Sequence, residues 1–404
     1  MSGFWNFKVG RNVLLSILLV VIPPISVFFI LRYFFLDDIL YGAQLGDSWV
    51  LIAKGVYLLA LGVSAIVGSV LSQMFNKRRL FTGIIFFRLF SPFLILFFSS
   101  GLYVLIPCLF LGASFGLGFP LDLAFLADHT YQEERGRVSG FVLSLTFITF
   151  FVLSTVSGIF GFSLTQNTLL LVFLQLLSFG ALMMGSLWGE NVLPGLSGDP
   201  VWKNRVFLMY LLPWSMFSLV NGAVIFLWEL VVLSEISAAS VVVKYVGSIV
   251  FFIVAGIITD YYGRKPALLL GFVLLGFSYF MFPAISSPLI DLIVGLFTGV
   301  AWSFIMVSFL FTVVGDLSAG GSRAVYFAVS GVLWILIETG FAFVSGIVHL
   351  RLPVGVVSSI LSLVMFLCIM PLLYLPETLP RSKIVDRRMS DYFERVLKAL
   401  EDSD

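Results

Sequence analysis

Three ionisable side chains, Arg88, Asp122 and Glu338, stand inside long apolar runs. A charged group in hydrocarbon is costly, so such residues face a protein interior or a watery cavity and mark ion pairs, proton relays or solute paths. Arg88 lies nine residues beyond Arg79, about 13 Å along a helix. Asp122 lies six residues before Asp128, about 9 Å in from the same side. The two can pair between adjacent antiparallel helices, either as a clamp or as part of a pathway. Glu338 lies fifteen residues beyond Arg323, about 22 Å in and somewhat past mid-membrane. It is the leading candidate for proton coupling, with Asp122 next. Arg32, Lys54 and Lys244 fall in the outer third, where they snorkel or pair with Glu338 or Glu229. Asn221, Ser218, Thr298, Trp302 and Ser303 are polar candidates for a cavity lining, each set against ordinary helix-packing chemistry.

The elements that must position these residues are dictated by composition. Of 404 residues 60% are hydrophobic and 11% charged, far from the roughly 25% charged usage of soluble domains. Mean hydropathy is +1.10. A water-soluble fold is excluded, and a net charge of +1 argues against a nucleic-acid partner. Polar punctuation divides the chain into twelve apolar segments, near 13–36, 50–71, 80–99, 102–126, 138–161, 166–189, 206–233, 239–258, 266–286, 288–313, 324–349 and 352–375. Each is about the length that a 30 Å hydrocarbon core requires. The fold class is therefore an all-α membrane protein with twelve transmembrane helices. In the first span, Pro23 and Pro24 favour a kink.

The loops on one side collect Lys8, Arg11, Lys77, Arg78, Arg79, Arg135, Arg137, Lys203, Arg205, Arg264, Lys265, Arg323 and the basic residues of the tail. The positive-inside rule makes that side, with both termini, cytoplasmic. An offset of 188 residues relates Gly68 to Gly256, Lys77 to Lys265, Asp128 to Asp316, Arg135 to Arg323, and Val156-Ser157-Gly158 to Val344-Ser345-Gly346. The expected organisation is an N-terminal stretch over 1–11, a six-helix bundle over 12–189, a linker over 190–205, a second bundle over 206–375 and a cytoplasmic amphipathic tail over 376–404. Met389, Tyr392, Phe393, Val396, Leu397 and Leu400 recur at helical spacing in the tail, which suits a helix lying on the bilayer surface.

Between the eighth and ninth spans runs Gly256-Ile-Ile-Thr-Asp260-Tyr-Tyr-Gly263-Arg264-Lys265. Gly263 permits a tight turn, Asp260 can accept from helix N-terminal amides, and Arg264 can pair with a carboxylate. The segment resembles the cytoplasmic loop signature of the major facilitator superfamily, with Tyr261 in place of the usual basic residue. In the first half Ser72, Phe75 and Asn76 depart from that pattern. Two further segments are similar to family features: Glu133-Glu134-Arg135-Gly136-Arg137 after span four, and Leu375-Pro376-Glu377-Thr378 after span twelve, the latter like the ending of sugar porters.

The resemblance implies two pseudo-symmetric six-helix bundles that rock around a cavity lined by spans one, four, seven and ten. It also implies a conformational latch at Asp260, Gly263 and Arg264, which Asp316 and Arg323 can join. The implied function is a secondary-active transporter, working as a monomer in the cell membrane, that moves a small organic solute (a sugar, an organic acid or a drug-like molecule), with protons as candidate coupling ion. The drug-antiporter proline motif of span five is missing from Ser154–Gly161. No nucleotide-binding loop is present, no metal or other cofactor is indicated, and Cys108 and Cys368 lie in apolar runs. The alternatives are a membrane-embedded transferase, against which His129 and His349 lie near opposite ends of the membrane, and a non-transporting receptor or scaffold.

Overall fold

In hydrocarbon each backbone amide must find its partner within its own segment, so apolar runs of this length become helices. The computed structural model describes residues 7–183, 200–227, 237–284, 287–318, 323–347 and 353–380, together with Val385, Met389 and Val396. Among these residues twelve helical spans are long and apolar enough to cross a bilayer. Span 1 covers Arg11–Gly42, span 2 Asp47–Met74, span 3 Lys77–Phe97, span 4 Gly101–Asp128, span 5 Arg135–Phe160 and span 6 Leu164–Leu182. Span 7 covers Arg205–Val224, span 8 Ala238–Tyr262, span 9 Arg264–Met281, span 10 Pro288–Leu317, span 11 Arg323–Phe341 and span 12 Gly355–Tyr374. Glu229, His349, Glu190 and most of the expected linker and tail lie outside the described residues.

The spans divide by regularity. Span 1 contains Pro23 and Pro24 and then a π-turn over Leu31–Phe35; span 4 contains Pro120, span 7 Pro213, and span 10 a π-turn over Met306–Val313. These four are the spans that the family resemblance assigns to a cavity; spans 3 and 12 are also interrupted, by a 3₁₀ turn over Ser91–Phe93 and a break at Cys368. Spans 2, 5, 8 and 11 run as single α-helices without internal proline. They form the seam between the two bundles, span 5 packing on span 8 and span 2 on span 11.

At the seam the backbones touch. A Cβ at Gly256 would overlap the carbonyl oxygen of Gly136, and one at Gly136 would stand 2.5 Å from a carboxylate oxygen of Asp260. Only glycine allows spans 5 and 8 to approach this closely, in the manner of small-residue packing between membrane helices. We expect Gly256→Ile to force the two spans apart and to cost about 1–3 kcal/mol as an overpacking substitution. Thermal unfolding of the purified protein in detergent checks this, and an unchanged melting temperature would contradict the seam.

Candidate functional site

The basic end of the molecule holds a network of ion pairs that ties one bundle to the other. Arg135, which opens span 5, donates from Nη1 to Asp316 Oδ1 at 2.5 Å, across to span 10. Arg323, which opens span 11, donates from Nη1 to Asp128 Oδ1 at the end of span 4. The two pairs are images of one another, because the 188-residue offset carries Asp128 onto Asp316 and Arg135 onto Arg323. Each bundle thus supplies one arginine and one aspartate, and each arginine reaches the other bundle's aspartate. Arg135 also donates to the carbonyls of Ala127 and Thr130, which holds its guanidinium at the end of its own bundle.

The second-half motif adds contacts that the first half matches only in part, through Lys77 Nζ on Asp128 Oδ2 at 2.9 Å. Asp260 receives the backbone amides of Gly136 at 2.9 Å and Arg137 at 2.8 Å, so a carboxylate from span 8 satisfies two free amides at the start of span 5. It reaches the opposite bundle by this route, whereas Arg323 bonds Asp128. Arg264 donates from Nη1 to Asp260 Oδ1 at 2.8 Å, from Nε to Asp316 Oδ2 at 2.9 Å, and from Nη2 to the carbonyl of Gln132 in the other half. Gly263, at a φ of 110°, makes the turn before it, and the Glu377 carboxylate lies directly against that turn. Glu377 accepts the amides of Arg264 at 2.8 Å and Lys265 at 3.0 Å. The Lys265 ammonium caps span 12 through the carbonyls of Leu373 and Leu375.

The acceptor role of Asp260 and the carboxylate partner of Arg264 are both visible in the residue pattern. Asp128, Arg135 and Glu377 do not stand out there as site residues. Their signals are present, in the shared offset and in the Pro-Glu-Thr segment, but which charge meets which is settled only by how the halves are apposed.

Further toward the other end, Arg32 of span 1 donates from Nη2 to Glu338 Oε1 of span 11 at 2.5 Å, again between bundles. Arg32 sits in the π-turn of span 1. Lys54 instead pairs with Asp37 at 2.7 Å. Below this pair, Trp302 and Trp334 lie with ring centroids 6.3 Å apart, and Phe217 stands 5.4 Å from Trp302. Asn221, one helical turn from Phe217, is buried with its Nδ2 unpartnered among the described residues. Ser303 spends its hydroxyl on the carbonyls of Ser248 and Gly299, Thr298 on Val294 and Ser218 on Trp214, which is helix-packing chemistry.

Arg88 and Asp122 pair as their depths suggest, both buried, with Nη2 to Oδ2 at 2.6 Å and Nη1 to Oδ1 at 3.2 Å. Arg88 Nε also donates to the Ser114 carbonyl, so the pair binds span 3 to span 4 inside one bundle. A Cβ at Gly118 would overlap the Arg88 guanidinium, and only glycine leaves room for it. A cavity of about 10 Å³ adjoins Arg88, Ser91, Ser114 and Gln175, room for one water. His129, at the end of span 4, packs on the ring of Phe125.

No protein-family model matches the sequence, and no curated protein matches it. Solved structures do. The proton:xylose symporter XylE of the major facilitator superfamily, bound to 6-bromo-6-deoxy-D-glucose, aligns with a TM-score of 0.65 at 13% identity, covering 91% of this chain and 95% of that one. The chain has the major facilitator fold. A bacterial homologue of the iron transporter ferroportin, in an outward-facing state, aligns with a TM-score of 0.69 at 12% identity, over 90% of this chain and 98% of that one. The human organic anion transporter MFSD10 aligns with a TM-score of 0.64 at 14% identity, over 90% and 99%. With its twelve spans the protein is an integral, multi-pass membrane protein.

Removing one partner of the intrabundle pair exposes its energetics. Asp122→Asn leaves the Arg88 guanidinium without its counter-charge and should destabilise the protein by about 3–5 kcal/mol, while the Arg88→Met, Asp122→Leu double variant should regain most of that loss. Equilibrium unfolding checks it, and a double variant as unstable as the single one would contradict a clamp. In the loop before span 5, burial pushes the Glu134 carboxyl above the usual glutamate range, against the opposing effects of the Lys8 amide and Arg137. The folded protein therefore binds this proton to higher pH than the unfolded chain does. The stability it contributes is complete below the ordinary glutamate value and is lost as pH rises through the raised one. The melting temperature should fall across that window, and Glu134→Gln should flatten the dependence.

Proposed function

We propose that this protein is a secondary-active transporter that carries a small organic solute across its membrane by alternating access. The observation that carries the reading is the crosswise latch. The two bundles are joined at the basic end by Arg135–Asp316, Arg323–Asp128 and the Asp260 contacts to Gly136 and Arg137. Charged contacts across a seam differ from an apolar core in one respect: when they separate, each partner can be solvated by water entering from the aqueous side. A buried ion pair and its hydrated parts are also close to break-even in free energy. Such a seam specifies register while allowing the halves to part. The fold shared with transporters supports the same reading, and the basic loops support a cytoplasmic position for the latch.

Solute flux tests it directly. Proteoliposomes holding the purified protein should take up at least one member of a panel of labelled sugars, organic acids and cationic drugs with saturation. A disulfide between cysteines placed at Asp128 and Arg323, in a background lacking Cys108 and Cys368, should stop the flux until it is reduced. A panel that yields no saturable uptake, or an uptake indifferent to the cross-link, would overturn the proposal. Asp260→Asn should raise the labelling of cysteines near the latch from the cytoplasmic side, because the start of span 5 loses its charged acceptor.

Protons are the coupling ion this reading favours, with Glu338 as the residue that takes them. Its carboxylate holds Arg32 across the seam at 2.5 Å, and neutralising it would release that contact. Glu338→Gln should therefore keep counterflow exchange and lose accumulation driven by a pH gradient. Accumulation that survives the substitution would move the coupling role elsewhere.

A further inference from the structure

Around the aromatic group of Trp302 and Trp334, the second bundle presents polar atoms that find no partner among the described residues. Lys244 of span 8 has no ion pair or hydrogen-bond partner among the described residues. Its ammonium instead lies 5.9 Å from the ring of Tyr245 and 6.0 Å from that of Trp302. Trp334 stands beside Trp302, and its indole Nε1 is buried without an acceptor among the described residues. Asn221 Nδ2 is likewise buried and unpartnered. Trp214 supplies the contrast, because its indole N–H in the same aromatic group donates to the Ser330 carbonyl at 2.9 Å.

The chemistry of these groups has one sign. Lysine ammonium and indole N–H can only donate, and an amide NH₂ is also a donor. The nearby carboxylate, Glu338, is engaged by Arg32 through two nitrogens. Arg32, Glu338 and Lys244 together leave one positive charge in excess. The neighbouring rings are Phe217 and Trp334, both buried, with Trp302 and Tyr245. Unsatisfied buried donors are uncommon, because each forfeits a hydrogen bond it had in water. Lys244 and Trp334 share the ring of Trp302 as a neighbour, Asn221 stands one helical turn from Phe217 of the same group, and donors without partners among the described residues suit an acceptor that carries negative charge.

We propose that the solute is a monovalent organic anion, a carboxylate with a flat apolar or aromatic body. Its carboxylate is held by Lys244 with Asn221 and Trp334, and its body lies against Trp302 and Phe217. This rests on the transport reading for its meaning as a solute site and narrows the solute from the wider range of small organic molecules. Glu338, bonded to Arg32, lies one helical turn from Trp334 on span 11.

The test uses the full chain in detergent, with benzoate as probe and benzamide and benzylammonium as its neutral and cationic counterparts. Benzoate should quench the tryptophan fluorescence saturably and raise the melting temperature, and the two counterparts should do neither. Lys244→Gln should weaken benzoate binding by about tenfold or more, as loss of a charged hydrogen-bond donor implies. Lys244→Arg should keep most of the binding, and this conservative variant guards against misfolding as the cause of a loss. Absence of saturable benzoate binding in the millimolar range, equal binding by Lys244→Gln, or equal binding of benzylammonium would each overturn the proposal. The two readings separate cleanly. Lys244-dependent benzoate binding without flux in proteoliposomes would keep the anion site and remove transport, whereas flux of a sugar or a cation unaffected by Lys244→Gln would keep transport and remove the anion site.

Discussion

The arrangement of this molecule depends on one exchange, in which each half of the chain gives an arginine to the other half's aspartate. Asp128 and Asp316 end equivalent helices, and Arg135 and Arg323 begin the next helix of each half. A contact between pseudo-equivalent halves is made twice when the surfaces are self-complementary, the logic by which a two-fold dimer interface repeats each of its contacts. Duplication of one charged pair therefore supplies two bonds, and these set how the bundles meet at their basic end. A shift of one helix turn along the seam would misplace both.

Around that symmetric core the second half has elaborated its side. Asp260, Arg264 and Glu377 form a chain of carboxylate and guanidinium contacts through the turn at Gly263, ending on the first helix turns of spans 5 and 9. In the first half Ser72 stands where Asp260 would fall, and its hydroxyl turns back to the Ser69 carbonyl. Asn76 takes the place of Arg264 and caps span 3 by accepting the amide of Arg78. The two ends of the seam are thus unequal: one aspartate bridges spans 8 and 5, and among the described residues no aspartate bridges spans 2 and 11 in this way. Opening that begins on the span 2 and span 11 side would break fewer charged contacts.

Regularity and irregularity of the helices obey the same division of labour. The seam helices are uninterrupted, and their close approach at Gly136 and Gly256 needs straight, small-faced surfaces. The proline-bearing and π-turn helices carry Arg32, Trp214 and Phe309, residues that contact other elements. A π-turn adds a residue to one helix turn and redirects the rest of the helix, a device associated with functional positions. Arg32 reaches span 11 from such a turn.

Helix count, the basic end and the internal repeat were all legible in the sequence, because hydrocarbon length and the rarity of charge in a membrane leave few alternatives. Arg88 and Asp122 were legible as partners, since helix rise puts their depths on nearly the same level. Every contact whose partner lies in the other half remained open: Arg32 with Glu338 rather than Lys54, Asp260 with the start of span 5, and Arg135 with Asp316. Depth along a helix can be counted from residue number, but azimuth and the apposition of two bundles cannot. Those are set by packing between surfaces distant in the chain, and only the tertiary structure brings Lys244 against Trp302 and leaves the donors of Asn221 and Trp334 without acceptors among the described residues.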